Sequence, residues 1–91
     1  MVKLNLYLAG QSRNSMIAMK NLQAAVAQLP EHTVELTVID VLEFPLRALD
    51  EGVLVTPTLI RRDPQPLRIL IGTLDDGNEM MALLDLKEVP H

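Results

Sequence analysis

Pro57 constrains this chain more than any other residue. It stands in the run Val55-Thr56-Pro57-Thr58-Leu59-Ile60, whose β-branched and aliphatic residues read as a strand. Proline has no N–H to give to a sheet ladder. It is tolerated at the first residue of a strand, at an edge or at a bulge, and not in the middle of a sheet. The strand therefore starts beside Pro57. The bond before Pro57 is also of the one kind for which a cis peptide is inexpensive.

Length and composition set the frame for that strand. A chain of 91 residues is read as one domain over 1–91. A domain of this size buries only about 60–65% of its unfolded surface. Hydrophobic residues make up 48% of the chain, but Tyr7 and Phe44 are its only aromatics, so aliphatic side chains and five methionines must fill the core. With no cysteine, neither a disulfide nor a cysteine-based zinc site can reinforce it. Association with further copies is the remaining way to hide apolar surface, and a dimer or tetramer is expected. The net charge of −4 argues against nucleic acid, which needs a basic face. No stretch approaches the ~20 apolar residues of a membrane span. The N-terminus alternates rather than running apolar as a signal peptide does. No membrane contact and a cytoplasmic location are expected.

Periodicity orders the first half. Val2, Leu4, Leu6 and Leu8 alternate with Lys3, Asn5 and Tyr7, a period of two that predicts a strand. Gly10-Gln11-Ser12 breaks it, and Ser12 or Asn14 can cap a following helix. Met16, Met19, Leu22, Val26 and Leu29 recur at helical spacing until Pro30. Thr33 to Val41 is β-branched and apolar and predicts a second strand, parallel to the first across the helical crossover. The second half admits two readings. Phe44 to Asp50 is a short helix stopped by Gly52, and Thr58–Arg62 pairs with Leu67–Ile71 around Asp63-Pro64-Gln65-Pro66. Asp76 with Glu79 then opens a last helix whose apolar face is Met80, Leu83, Leu84 and Leu86. That order is βαβαββα. Leu67 to Leu74 can equally extend as helix, and Asp76-Gly77 is also a hairpin signal, so local preference leaves this half open.

The Thr-Pro-Thr-Leu start of a strand resembles that of thioredoxin-like folds, in which a cis proline faces a Cys-x-x-Cys motif. The corresponding place reads Ser12-Arg13-Asn14-Ser15, with the spacing and without the sulfur. A serine hydroxyl cannot carry thiol–disulfide exchange, and helix capping is the expected use of Ser12, with Ser15 as polar surface. His32 and His91 have no sequence-local partner for a catalytic triad, and no catalytic, metal or cofactor site is expected. Asp75-Asp76-Gly77-Asn78-Glu79 has part of a calcium loop but not its alternation or distal glutamate, and a turn with a helix cap is expected. Asp40 ends a central strand, where α/β sheets place ligands, although such a carboxylate more often caps the next turn. Arg61, Arg62 and Arg68 flank the Asp63–Pro66 turn and would cluster into a docking patch if the hairpin forms.

Taken in order, these segments resemble the KaiB family of small clock-associated proteins. Leu6-Tyr7-Leu8-Ala9-Gly10 is similar to that family's first strand, and Asn14-Ser15, Ala18, Lys20 and Leu22 to its first helix. Val38-Ile39-Asp40-Val41-Leu42 and Thr56-Pro57-Thr58-Leu59 are similar to its middle. Pro64, Pro66, Arg68, Ile71-Gly72, Leu74 and Leu84-Asp85-Leu86 are similar to its second half. The resemblance implies an α/β, non-enzymatic interaction protein with two accessible folds. One is a βαββααβ ground state that assembles, with Pro57 trans. The other is a thioredoxin-like βαβαββα monomer. It further implies binding to a KaiC-type ATPase, then to a KaiA-like protein or a histidine kinase. Partner contacts are expected from Tyr7, Lys20, Arg61 and Arg68, and fold-switching or structural roles for Asp40, Pro57, Gly72 and Thr73. The chain departs from the clock-type pattern where basic residues are replaced by Ile17, Glu43 and Gly52, and where Thr73 replaces an aspartate. A divergent paralogue with an altered partner surface is therefore expected. Two alternatives stay open: a redox-inactive binder of a thiol peptide such as glutathione, and a stress-response oligomer with no clock role.

Overall fold

The computed structural model describes residues 1–84. Its elements are β1 (Val2–Leu8), α1 (Arg13–Val26), β2 (Val34–Asp40), α2 (Pro45–Asp50), β3 (Thr58–Asp63), β4 (Arg68–Ile71) and α3 (Gly77–Leu84). This is the thioredoxin-type order, and the Thr56–Pro57 peptide is cis. Of the two readings of the second half, the hairpin reading is the one adopted. Leu86 and His91 lie outside the described residues.

The four strands form one sheet in the order β2-β1-β3-β4. β1 runs parallel to β2, with Leu6 beside Val38, and antiparallel to β3, with Leu6 opposite Leu59. Its alternation divides the protein into two cores. Val2, Leu4, Leu6 and Leu8 meet Ala18 and Leu22 of α1, Leu59 of β3, and Met80, Leu83 and Leu84 of α3. On the opposite face Tyr7 joins Ile39, Ile60, Val53 and Ala48 of α2. On the polar-looking side of β1, Asn5 and Tyr7 are thus buried too, while Lys3 at the start of the strand is exposed.

Capping residues fix the helix limits. Ser12 is the N-cap of α1: its Oγ accepts from the Ser15 N–H at 3.3 Å and donates to Ser15 Oγ at 2.8 Å. Ser15 is not surface but fully buried, and its Oγ also accepts from the Ala9 N–H at 3.1 Å. The buried stripe of α1 is Ser15, Ala18 and Leu22 with Met19, Ala25 and Val26 beside it, so Met16, one residue round the helix from Ser15, is exposed. The helix ends at Val26, short of Pro30, and Leu29 packs on the core from the turn that follows. α2 starts on Pro45 and ends in a Schellman turn. The Val53 N–H reaches the Ala48 carbonyl and the Gly52 N–H the Leu49 carbonyl, with Gly52 at φ 75 as such a turn requires. Asp76 caps α3 by accepting from the Asn78 and Glu79 N–H groups at 3.0 and 3.2 Å, so this carboxylate serves the helix rather than a calcium loop.

The β4–α3 connection bends sharply. Gly72 has φ 104 and donates to the Pro57 carbonyl, and the Thr73 carbonyl accepts from Asn21 Nδ2 at 2.8 Å. Leu74 holds φ 61, which costs an L-residue about 1–2 kcal/mol. Burial of its side chain in the α1/α3 core returns an amount of similar size.

Asp40 joins the two halves. Its Oδ1 accepts from the Gly10 N–H at 3.0 Å and from the Leu42 N–H at 2.9 Å, binding the β1–α1 loop to the segment that leads into α2. Asp40→Ala is expected to lower stability in urea unfolding by about 1–2 kcal/mol, since it removes two hydrogen bonds, one part-buried and one exposed. Asp40→Asn keeps an acceptor and is expected to cost less. The Ser12–Ser15 contact gives a second check. In Ser12→Cys/Ser15→Cys, the paired sulfurs at the helix start are expected to close into a disulfide under mild oxidation. Thiol titration and intact mass report it, and a persistent dithiol would contradict this local geometry.

Candidate protein-docking site

The carboxyl end of β2 leads into the segment Val41–Thr56, which carries the densest exposed apolar surface in the described residues. Asp40 turns the chain, and the Glu43 and Phe44 N–H groups bond back to its carbonyl. Leu42 is thereby set beside Gly10, where an added Cβ would stand 3.2 Å from the leucine Cδ1. Pro45 then nucleates α2 without a side-chain cap.

α2 is laid on the sheet by its smallest residue. Ala48 is its buried side chain, packed with Tyr7, Ile39, Val53 and Ile60. Leu46 and Leu49 consequently point away from the core, and Leu46 is 73% exposed. After the Schellman turn Val53 returns to the core while Leu54, 86% exposed, and Val55 face solvent just before Thr56–Pro57. A shallow cavity of about 220 Å³ lies between these pieces, lined by Val41, Ala48, Val53, Leu54, Val55 and Thr56. With Leu42 and Phe44, six large apolar residues of this one segment are exposed, a concentration of a kind that marks interaction sites. Exposed Glu43, Asp50 and Glu51 give its rim an acidic character, relieved by Arg47.

A polar clasp fixes α2 from below. Glu51, at the helix C-cap, forms an ion pair with Arg62 of β3, and both side chains are one-third exposed. The hydrogen bond that Arg62 donates to this carboxylate holds the guanidinium pKa above its ordinary value. With its amide oxygen turned toward β3, Asn5 accepts from Arg62 Nε at 2.7 Å and donates to the Leu4 carbonyl at 3.1 Å. The Tyr7 hydroxyl is buried beside the same guanidinium.

The structure separates the residues singled out in the sequence. Lys20 and Arg68 are exposed. Tyr7 is fully buried, and Arg61 is 6% exposed, donating to the carbonyls of Leu83 at 2.9 Å and Pro66 at 3.0 Å. In this fold Tyr7 and Arg61 therefore act through the core rather than as surface contacts. Of the three arginines, Arg61 and Arg68 are opposed across the β3–β4 ladder and line one cavity, while Arg62 is turned to the other face. Successive strand residues face opposite sides, so Arg61 supports α3 while Arg62 clasps α2. Asp40, Pro57, Gly72 and Thr73 occupy the turns that join elements, as described above. The apolar residues Leu42, Phe44, Leu46, Leu49, Leu54 and Val55 were not picked out from the sequence. The available signal was excess: a helix of six residues seated on Ala48 cannot bury two further leucines.

No helix among the described residues is long and apolar enough to cross a membrane. Among solved structures, the N-terminal domain of SasA from Synechococcus elongatus superimposes with a TM-score of 0.76 at 21% identity, covering 99% of this chain and 89% of that one. A chloroplastic thioredoxin z gives a TM-score of 0.76 at 16% identity, covering 91% and 75%. Both likenesses show a thioredoxin-like fold. In sequence, the chain is 42% identical over 83 residues to the circadian clock oscillator protein KaiB of Nostoc punctiforme, covering 91% of this chain and 80% of that protein. It is 41% identical over 83 residues to KaiB1 of Synechocystis, covering 91% and 79%. The KaiB domain model matches residues 5–86. The chain belongs to the KaiB family.

Proposed function

We propose that this protein is a non-enzymatic, cytoplasmic interaction module that docks on a KaiC-type ATPase and alters its phosphorylation or signalling output. The reading rests on membership of the family whose curated relatives are circadian clock oscillator proteins. The observation that carries it is the outward-facing apolar side of α2. Leu46, Leu49 and Leu54 expose apolar area that a chain with no docking partner would gain by burying. Anchors of this type, ringed by charge, supply most of the affinity in a protein interface, and the rim supplies selectivity.

The rim argues for a particular partner. Glu43, Asp50 and Glu51 surround the apolar surface, and Glu43 stands where the clock-type pattern has a cation. A complementary face is apolar with a basic border. The partner is thus a KaiC relative with charges matched to this chain, and the protein a divergent paralogue. Exposed Lys20 and Arg68, outside that apolar surface, are left for a second component of the complex, a KaiA-like protein or a histidine kinase.

Pull-down and titration against the KaiC-type ATPase of the same organism, in each nucleotide state, test the proposal. Leu46→Ser/Leu49→Ser is expected to weaken binding at least about tenfold, roughly 1.4 kcal/mol or more. Its thermal midpoint should stay near that of the parent, because both leucines are already exposed. Equal binding by the variant would remove the α2 surface from the account. No binding by the parent in any nucleotide state would remove the partner.

A further inference from the structure

We infer that the cavity between the β3–β4 ladder and α3 binds a small monocarboxylate with a short apolar body, through Arg61 and Arg68. The cavity lies on the α3 face of the sheet, away from the α2 surface that Arg62 clasps, so the inference is independent of the ATPase partner.

The cavity has a volume of about 340 Å³ and is lined by Arg61, Arg68, Leu70, Glu79, Ala82 and Leu83. Arg61 and Arg68 are opposed across the ladder, so their side chains leave the sheet on one face. Arg61 is 6% exposed. A guanidinium carries five N–H donors and a permanent charge. One Nη of Arg61 donates to the Leu83 carbonyl at 2.9 Å and the other to the Pro66 carbonyl at 3.0 Å. Its Nε is buried and has no hydrogen-bond partner among the described residues. The charge lacks a counter-charge as well. The ion pair among the described residues is Glu51–Arg62, and no carboxylate there stands at that range from Arg61 or Arg68. The two carbonyl bonds explain how Arg61 supports α3. They do not explain a second guanidinium set opposite the first. A buried cation without an anion is destabilising, and a bound anion relieves it.

The walls narrow the class of anion. Two guanidinia and one carboxylate, Glu79, give the cavity a net charge of +2 − 1 = +1. One carboxylate matches that charge, whereas a phosphate dianion would exceed it and meet Glu79 as a like charge. The planar guanidinium fork also suits a planar carboxylate. Leu70, Ala82 and Leu83 add an apolar wall, which favours a short aliphatic body over a bare ion.

Isocaproate is the test ligand, titrated at constant ionic strength and followed by amide chemical shifts and by the thermal midpoint, which a ligand of the folded state raises. Saturable binding with a Kd on the order of 1 mM is expected, with shifts centred on β3, β4 and α3. Isocaproamide, acetate and inorganic phosphate are each expected to bind at least about tenfold more weakly. Arg61 is left intact, because its bonds hold α3. Arg68 and Glu79 are exposed, so their substitution leaves the fold in place. Arg68→Gln is expected to weaken binding at least about fivefold. Glu79→Gln is expected to tighten it about threefold by removing a like charge. No saturable shift at tens of millimolar would overturn the inference. So would isocaproamide, acetate or phosphate binding as tightly as isocaproate, unchanged affinity in Arg68→Gln, or weaker binding in Glu79→Gln.

Discussion

The burial of β1 on both faces is the constraint on which the rest of the structure depends. Its leucines take α1 and α3, and with them most of the buried apolar side chains of the described residues. What remains for the opposite face is Tyr7 with Ile39 and Ile60, a strip that needs only a small cover. α2 provides it through Ala48. The economy of that cover has a consequence: the larger residues around Ala48 have no place inside. A small domain with one thick core and one thin one ends with its surplus hydrophobicity on the thin side.

That surplus is held firmly rather than left loose. Asp40 binds the start of the segment to the β1–α1 loop, the Glu51–Arg62 pair binds the end of α2 to β3, and the Schellman turn returns Val53 to the core. The exposed leucines are therefore presented from a fixed backbone, which reduces the ordering cost of binding. The thioredoxin-like scaffold is used here without redox chemistry. Where that chemistry would need sulfur, Ser12 and Ser15 cap α1 and hold the Ala9 N–H.

Much of the fold was legible in the sequence because its local signals agree. The alternation of Val2–Leu8, the Ser12 cap, the Gly52 helix stop and the Asp76 cap each do in the structure what their chemistry implies. The reading shifted where burial depends on distant partners. Met16 fits a helical stripe but lies a residue away from the face that β1 and α3 cover, and Ser15 reads as surface in the sequence because its partner, the Ala9 N–H, belongs to the preceding loop. Arg61 and Arg62 are adjacent in sequence, yet the pleat sends them to opposite faces. The second half, balanced between two element orders, depended on long-range pairing of β3 with β1, which no local preference encodes. The docking surface was the least legible part. Leu46 and Leu49 look like core until the sheet has chosen Ala48.

Hydrogen exchange of the protein alone and in complex with its KaiC-type ATPase tests the central claim most directly, because it reports the contact surface without substitution. The account predicts new protection across Leu42 to Thr56, centred on α2, with little change at the exposed side of α1. Protection centred on Lys20 and the rest of α1, with α2 exchanging as in the free protein, would contradict it.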